Sequence, residues 1–230
     1  MISDSVVLND WHVVASSKEI IEGEHTAVRL LEENLVVWRT SGKVSVFLDQ
    51  CPHRGASLSL GEIRDGDKLM CPYHGWQFNG LGKCECQPAQ PDLTPPEKAA
   101  VRSFDVREKY GLVWVCLGEA DKDVPELVGC DDDYELVVTG PYDVDTSAPR
   151  AIENFLDMSH FPFVHTDVLG AEPDTEVNNY KVNLRKDVNE LWATECGFYQ
   201  PKAMASATEG IEVDYQYRVA NPFAAILYKT

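Results

Sequence analysis

Two short segments share one pattern of chemistry-bearing residues: "CPHRG" at 51–55 and "CPYHGW" at 71–76. They read C-x-H, seventeen residues, then C-x-x-H, through Cys51, His53, Cys71 and His74. Two thiolates and two imidazoles at such spacing form a metal-ligand set. Zinc accepts that set, but a zinc finger ordinarily carries its histidines on a helix, and neither segment reads as helical. Each has Pro directly after the cysteine and Gly shortly after the histidine, residues that force turns and bring backbone amides close to a ligand. Between them "LSLGEIRDGDKLM" alternates and turns at Asp65-Gly66, as a hairpin would. Two facing β-loops suit a two-iron, two-sulfide cluster, the cysteines on one iron and the histidines on the other. Such a cluster is formally neutral when oxidised, whereas four thiolates would leave it anionic, so electron uptake is easier.

A second constellation follows in "AIENFLDMSHFPFVH" at 151–165, where Asn154, Asp157, His160 and His165 form N-x-x-D-x-x-H-x-x-x-x-H. Ile152, Phe155, Leu156 and Ser159 have the spacing of an amphipathic helix, with Asn154, Asp157 and His160 on a neighbouring face. Pro162 breaks the helical ladder between the two histidines, so a bent backbone can turn both rings inward. Two histidines with room for a carboxylate match the facial triad of mononuclear non-haem Fe(II), which leaves positions free for oxygen and substrate.

The first constellation resembles the Rieske proteins. Respiratory members carry an extra cysteine in each loop; Ala56 and Tyr73 stand at those places here, so no disulfide ties the loops, and Trp76 replaces a serine that helps raise the potential. With the second constellation, the chain is similar to the catalytic α subunit of Rieske non-haem iron oxygenases. "DWHVVA", "GASLSLGE", "HGWQFNGLGKC", "EKYGLVWVCLG" and "SHFPFVH" resemble aromatic O-demethylases, caffeine N-demethylases and hydroxylases of saxitoxin-type guanidinium alkaloids, the last most closely in phrasing. The resemblance implies that Cys51, His53, Cys71 and His74 hold the [2Fe-2S] cluster and that His160 and His165 bind iron. It implies that Asp157 bridges an iron histidine to a cluster histidine of a neighbouring subunit, with Asn154 near the iron. It also implies a homotrimer for the full-length protein, a small organic substrate hydroxylated or demethylated with O2, and electrons from a ferredoxin or flavin reductase. In that family the third iron ligand is a carboxylate more than a hundred residues beyond the second histidine; 65 residues follow His165 here, so the chain reads as C-terminally incomplete. The rival readings are a non-enzymatic electron carrier, for which the second constellation would have no use, and an inactive fragment of the oxygenase.

The expected fold is mainly β with an α+β part: an all-β Rieske domain over 10–118, a connector over 119–135, and over 136–230 the first part of a helix-grip catalytic domain. Strand signals at "TAVRLLEE", "NLVVWRT", "KVSVFLD" and "GLVWVCLG" support the first part. "NYKVNLRKD", "ELWATECGFY" and "IEVDYQYRVA" support an antiparallel sheet, with Ile211, Val213, Tyr215, Tyr217 and Val219 on its apolar face.

Composition excludes other classes. Acidic residues outnumber basic ones 38 to 20, a formal charge of −18 that would repel a nucleic-acid backbone. No run of eighteen apolar residues suggests a membrane span, and "MISDSVVLND" does not read as a signal peptide, so a cytoplasmic address is expected. Asp131, Asp132 and Asp133 read as solvated linker. Of seven cysteines, Cys116 and Cys196 read as small buried hydrophobes, and the Cys84-x-Cys86 pair lacks nearby histidines. No G-x-G-x-x-G fingerprint is present, so NAD(P)H would act on a separate reductase; "GLGKC" reads as a hairpin turn.

Overall fold

The computed structural model describes residues 2–127 and 135–230; the acidic run at 131–133 lies outside the described residues. The chain divides into two compact units, Met1–Tyr142 and Asp143–Thr230. After a single capped turn, α1 (Ser5–Leu8), the described residues of the first unit form three antiparallel sheets. β1 (His12–Ser16) begins the first; β2 (His25–Leu30), β3 (Glu33–Thr40) and β4 (Lys43–Leu48) form a meander. A second meander of short strands, β5 (Glu62–Arg64), β6 (Lys68–Met70), β7 (Gln77–Phe78) and β8 (Cys84–Cys86), carries the segment at 71–76 in its β6–β7 connection, while the segment at 51–55 lies in the link from β4 to β5. β9 (Asp105–Lys109) and β10 (Leu112–Cys116) complete the sheet of β1 in the order β1-β10-β9.

β3 explains why these sheets hold together. Its "LVVW" run cannot alternate, so it must be covered on both faces. Leu35 and Val37 pack with Val46, Val113 and Val115, while Val36 and Trp38 pack with Phe47, Leu58, Leu69 and Phe78 on the other side. Trp38 and Phe47, both fully buried, meet edge to face at 5.4 Å. Each large apolar side chain so buried contributes about 2–3 kcal/mol. Cys51 and Cys71 belong to this same core layer, so the loops are rooted in packed side chains. Beyond β10 the chain stays attached: Trp11 donates its indole N–H to the carbonyl of Lys122 at 2.7 Å, and Val124 is buried beside Trp11, Trp114 and Cys116.

The expected strand "TAVRLLEE" is interrupted. β2 ends at Leu30 and the chain turns at Leu31-Glu32, both with positive φ (50° and 69°), before β3 starts at Glu33. A two-residue turn of this hand matches strand twist, and here it is made without Gly or Asn. The turn expected at Asp65-Gly66 is present, with φ of 52° and 77°.

The second unit contains α2 (Ala148–Leu156), α3 (Phe161–Val164) and a four-stranded meander: β11 (Lys181–Arg185), β12 (Glu190–Gln200), β13 (Ile211–Ala220) and β14 (Ala224–Lys229). Phe155, Leu156, Met158 and Phe161 pack on Cys196, Val213, Tyr215 and Tyr217 of the sheet. The apolar alternation of β13 holds over Val213, Tyr215 and Tyr217, but Ile211 is 50% exposed and Arg218 is buried. Arg218 is buried because it pairs with buried Glu190; the register of β12 against β13 also shifts between Ala193 and Cys196, with Glu195 in the left-handed region. Cys116 and Cys196 are buried in their strands. Among the described residues no helix is long and apolar enough to cross a membrane.

Candidate metal centres

The two Cys-His loops are backbone copies of each other. The N–H of Cys51 donates to the carbonyl of Ala56 at 2.8 Å, and that of Gly55 to Cys51 at 2.9 Å. In the second loop Cys71 donates to Trp76 at 2.8 Å and Gly75 to Cys71 at 3.1 Å. Gly55 and Gly75 take φ of 75° and 70°, a conformation that costs glycine little. Asp49 braces the first loop, accepting from the N–H and hydroxyl of Ser59 at 2.7 and 2.6 Å, while a ring nitrogen of His25 lies 3.0 Å from the Ser59 carbonyl. Sequence reasoning missed this brace because its members are spread over separate segments.

This arrangement brings the four expected cluster residues together in pairs. Cys51 and Cys71 are buried, with thiols close enough to interact, and the rings of His53 and His74 meet at 4.5 Å and 62°. Burial pushes the Cys51 thiol up to about 11, against the backbone N–H of His53 that favours the thiolate, with Cys71 adding to the rise. A metal must displace that proton to bind. Burial also lowers the pKa of His53, whose Nδ1 is buried without a hydrogen-bond partner. A neutral imidazole with an unsatisfied inward nitrogen, opposite a pair of thiols, fits a two-iron cluster held by Cys51, Cys71, His53 and His74. His74 is exposed, with Tyr73 beside it at 3.9 Å, and His53 lies parallel to Trp76 at 4.5 Å and 2°. Cys84 is buried in the same layer, its thiol donating to the Cys86 carbonyl at 3.4 Å.

The second constellation differs locally from the expected single kinked helix. α2 stops at Leu156 and Asp157 is its C-cap, with ψ of 115°. A new turn, α3, begins after His160. Pro162 is the cause: it lacks an N–H, and its ring would strike the Met158 carbonyl in a continuous helix. It therefore sits in the first turn of a new helix, where proline is tolerated. His160 and His165 flank α3 as its N-cap and C-cap, and their rings lie 5.1 Å apart.

Asp157 binds both neighbours. Its Oδ1 accepts from the N–H of Ser159 at 2.8 Å and from the Ser159 hydroxyl at 2.5 Å, while Oδ2 lies 3.2 Å from His160 Nδ1. The Ser159 hydroxyl, more than any other group, holds the Asp157 carboxyl below the usual range. With Nδ1–H donated to this carboxylate, His160 keeps the Nε2 lone pair for a metal. Asn154 is exposed one turn earlier and joins the group through its carbonyl, which accepts from the Asp157 N–H at 3.3 Å. Among the described residues no group of three His, Cys, Asp or Glu forms around one metal position, so no carboxylate is assigned to the histidine pair. A narrow groove opens beside α3, lined by Met158, Phe161, Leu169, Cys196 and Phe198 among others.

Twin Cys-His loops on β-sheets, followed by a histidine pair against an antiparallel sheet, define an iron–sulfur domain joined to a second, catalytic-type unit. Comparison with known proteins agrees. Residues 10–105 match the Rieske [2Fe-2S] domain family, and residues 144–229 match the vanillate O-demethylase oxygenase C-terminal domain family. A probable methylxanthine N7-demethylase, NdmC of Pseudomonas sp. (strain TJI-51), is 52% identical over 124 residues, covering 53% of this chain and 43% of its own. The methylxanthine N1-demethylase NdmA of Pseudomonas putida is 39% identical over 175 residues, 71% of this chain and 50% of its own. The solved structure of Pseudomonas putida CBB5 NdmB superposes with a TM-score of 0.74 at 30% identity, covering 98% of this chain and 70% of that one. The chain belongs to the Rieske oxygenase α subunits, and it spans about half the length of the curated relatives it matches.

Proposed function

We propose that this chain is part of the terminal oxygenase component of a demethylase or hydroxylase. It takes electrons from a separate ferredoxin or flavin reductase and uses O2 on a small organic substrate, with an N- or O-methylated compound the leading class. The observation that carries this reading is the Asp157–His160 contact at 3.2 Å beside His165, in a chain that also presents the twin Cys-His loops. An electron carrier alone would need only the loops.

In this reading Cys51 and Cys71 hold one iron of the cluster, His53 and His74 the other, and His160 and His165 hold a mononuclear Fe(II). The cluster supplies single electrons and the Fe(II) a site where oxygen is activated. The chain's own residues do the rest. The buried cysteines and half-buried His53 keep water from the inner side of the cluster, while exposed His74 offers an edge to a partner. Asp157 fixes the His160 tautomer, and the side of its carboxylate left exposed can accept from a neighbouring subunit's imidazole in a homotrimer. Phe161 and Phe198 give the groove beside α3 aromatic walls. The proposal places the protein in the cytoplasm with its reductase.

Purified protein should be brown and carry two irons and two acid-labile sulfides per chain, with a nitrogen-ligated two-iron EPR signal that Cys51→Ser or His74→Ala abolishes. Bound zinc without sulfide would refute the cluster assignment. Turnover of methylated aromatics with a reductase and NAD(P)H tests the catalytic half, in the longest natural form of the chain.

A further inference from the structure

The two loops agree in backbone and disagree at one position. The residue five after each cysteine accepts that cysteine's N–H through its carbonyl, and it is Ala56 in the first loop but Trp76 in the second. The indole of Trp76 reaches across to the other loop and lies parallel to His53, with centroids 4.5 Å apart and planes within 2°. Trp76 is itself packed against the core beneath the loops, so it is a fixed wall. His74 contacts the same imidazole edge to face, at 4.5 Å and 62°. His53 is therefore confined by two rings, and its Nδ1 points into the buried interior without a partner. A methyl group at Ala56 cannot do the same for His74, whose other ring neighbour, Tyr73, is 65% exposed.

We propose that Trp76 is a positioning residue for the cluster: it clamps the His53 ring and excludes water from its face, so the two imidazole ligands are held unequally. His53 is the fixed member, and His74 is the adaptable one that meets a partner. An imidazole free to turn about χ2 must lose that freedom when it takes up a metal; the stacked indole removes it beforehand. The inference rests on the assignment of the cluster to these four residues, and its test separates the two ideas.

Histidine labelled with ¹⁵N, read by pulsed EPR of the reduced cluster, gives one hyperfine coupling per imidazole. Trp76→Leu, which keeps apolar bulk without an aromatic face, should shift or broaden one coupling and leave the other in place. Trp76→Phe, which restores a ring, should retain both. Iron release to a chelator should quicken about 2- to 10-fold in Trp76→Leu, the usual range for one aromatic contact, and stay close to wild type in Trp76→Phe. Both couplings moving together in either variant, or neither moving in Trp76→Leu, would overturn the clamp. If Trp76→Leu does not fold, the phenylalanine variant decides: two retained couplings support the clamp and a change in both refutes it. A wild-type protein with no nitrogen-ligated two-iron signal would overturn the cluster assignment, and the clamp with it.

Discussion

Asp157 is where residue-level chemistry is densest, since one carboxylate holds Ser159 on one oxygen and His160 on the other. The two bonds to Ser159 fix where Oδ2 points, and Oδ2 fixes which nitrogen of His160 carries the proton. Asp157→Asn keeps the shape but removes the charge that favours an N–H donated by His160. Co(II) affinity at the histidine pair, read by calorimetry, should fall about 10- to 100-fold in Asp157→Asn, the range for losing an outer partner of a metal ligand. Ser159→Ala should cost less, because the Ser159 N–H still binds Oδ1. Equal affinity in wild type and Asp157→Asn would show that the carboxylate does not orient the ring. Ser159 escaped sequence reasoning as a polar partner because it satisfied the helical stripe expected through 159. The helix ends at Leu156, so Ser159 turns back onto Asp157 instead of facing the core.

At the scale of elements, strand existence was legible and strand ends were not. The apolar runs of β3, β4, β10 and β12 announce themselves by composition, whereas the Leu31-Glu32 turn has no Gly, Asn or Asp to mark it. The buried Arg218 was equally hidden: a charged residue in an alternating strand reads as solvent-facing until its partner, 28 positions away, is known. The cluster loops were the most legible part, because their Pro and Gly are needed by the local turns themselves. One glycine test belongs here. Gly82, in the β7–β8 turn, has φ of 80°, and a Cβ there would lie 2.5 Å from the Val101 carbonyl oxygen. Gly82→Ala should lower unfolding free energy by about 2–4 kcal/mol in urea melts, combining left-handed strain with displaced backbone. A loss within 0.5 kcal/mol, on the order of an ordinary surface change, would mean the turn relaxes freely. The Glu190–Arg218 pair makes a second prediction. Burial pushes the Glu190 carboxyl up, but the Arg218 guanidinium, the Trp192 N–H and Arg185 outweigh it and leave the pKa lowered. A lowered folded-state pKa means the pair stabilises fully above the unfolded value of about 4.5, and that contribution is lost as pH falls through the folded value. Glu190→Gln should destabilise by about 3 kcal/mol at neutral pH by leaving Arg218 buried beside a neutral group, and should flatten the acid limb of stability against pH. An acid limb unchanged by the substitution would place that loss on other carboxylates.

For the molecule as a whole, charge bears on how the proposed electron donor would meet it. With 38 acidic and 20 basic residues, the chain as a body attracts a basic partner over long range. Yet residues 51–60 and 71–80, which contain both cluster loops, include no Asp or Glu and present Pro52, Arg54, Pro72, Tyr73 and His74 as exposed groups. In the proposed reading, loop segments without Asp or Glu on an otherwise acidic chain would separate steering from docking: charge would gather the donor, and contact around His74 would align it. Steering is screened by salt because the Debye length shrinks from about 30 Å at 0.01 M to about 8 Å at 0.15 M, whereas contact through Pro and aromatic side chains is not. Stopped-flow reduction of the cluster by a basic reductase should therefore show a bimolecular rate that falls steeply with salt. The limiting rate at saturating donor should stay constant. Tyr73→Ser should do the reverse, lowering the limiting rate while leaving the salt slope of the bimolecular rate intact. A limiting rate that falls with salt in step with the bimolecular one would put the donor's contact on the acidic surface and away from the cluster loops.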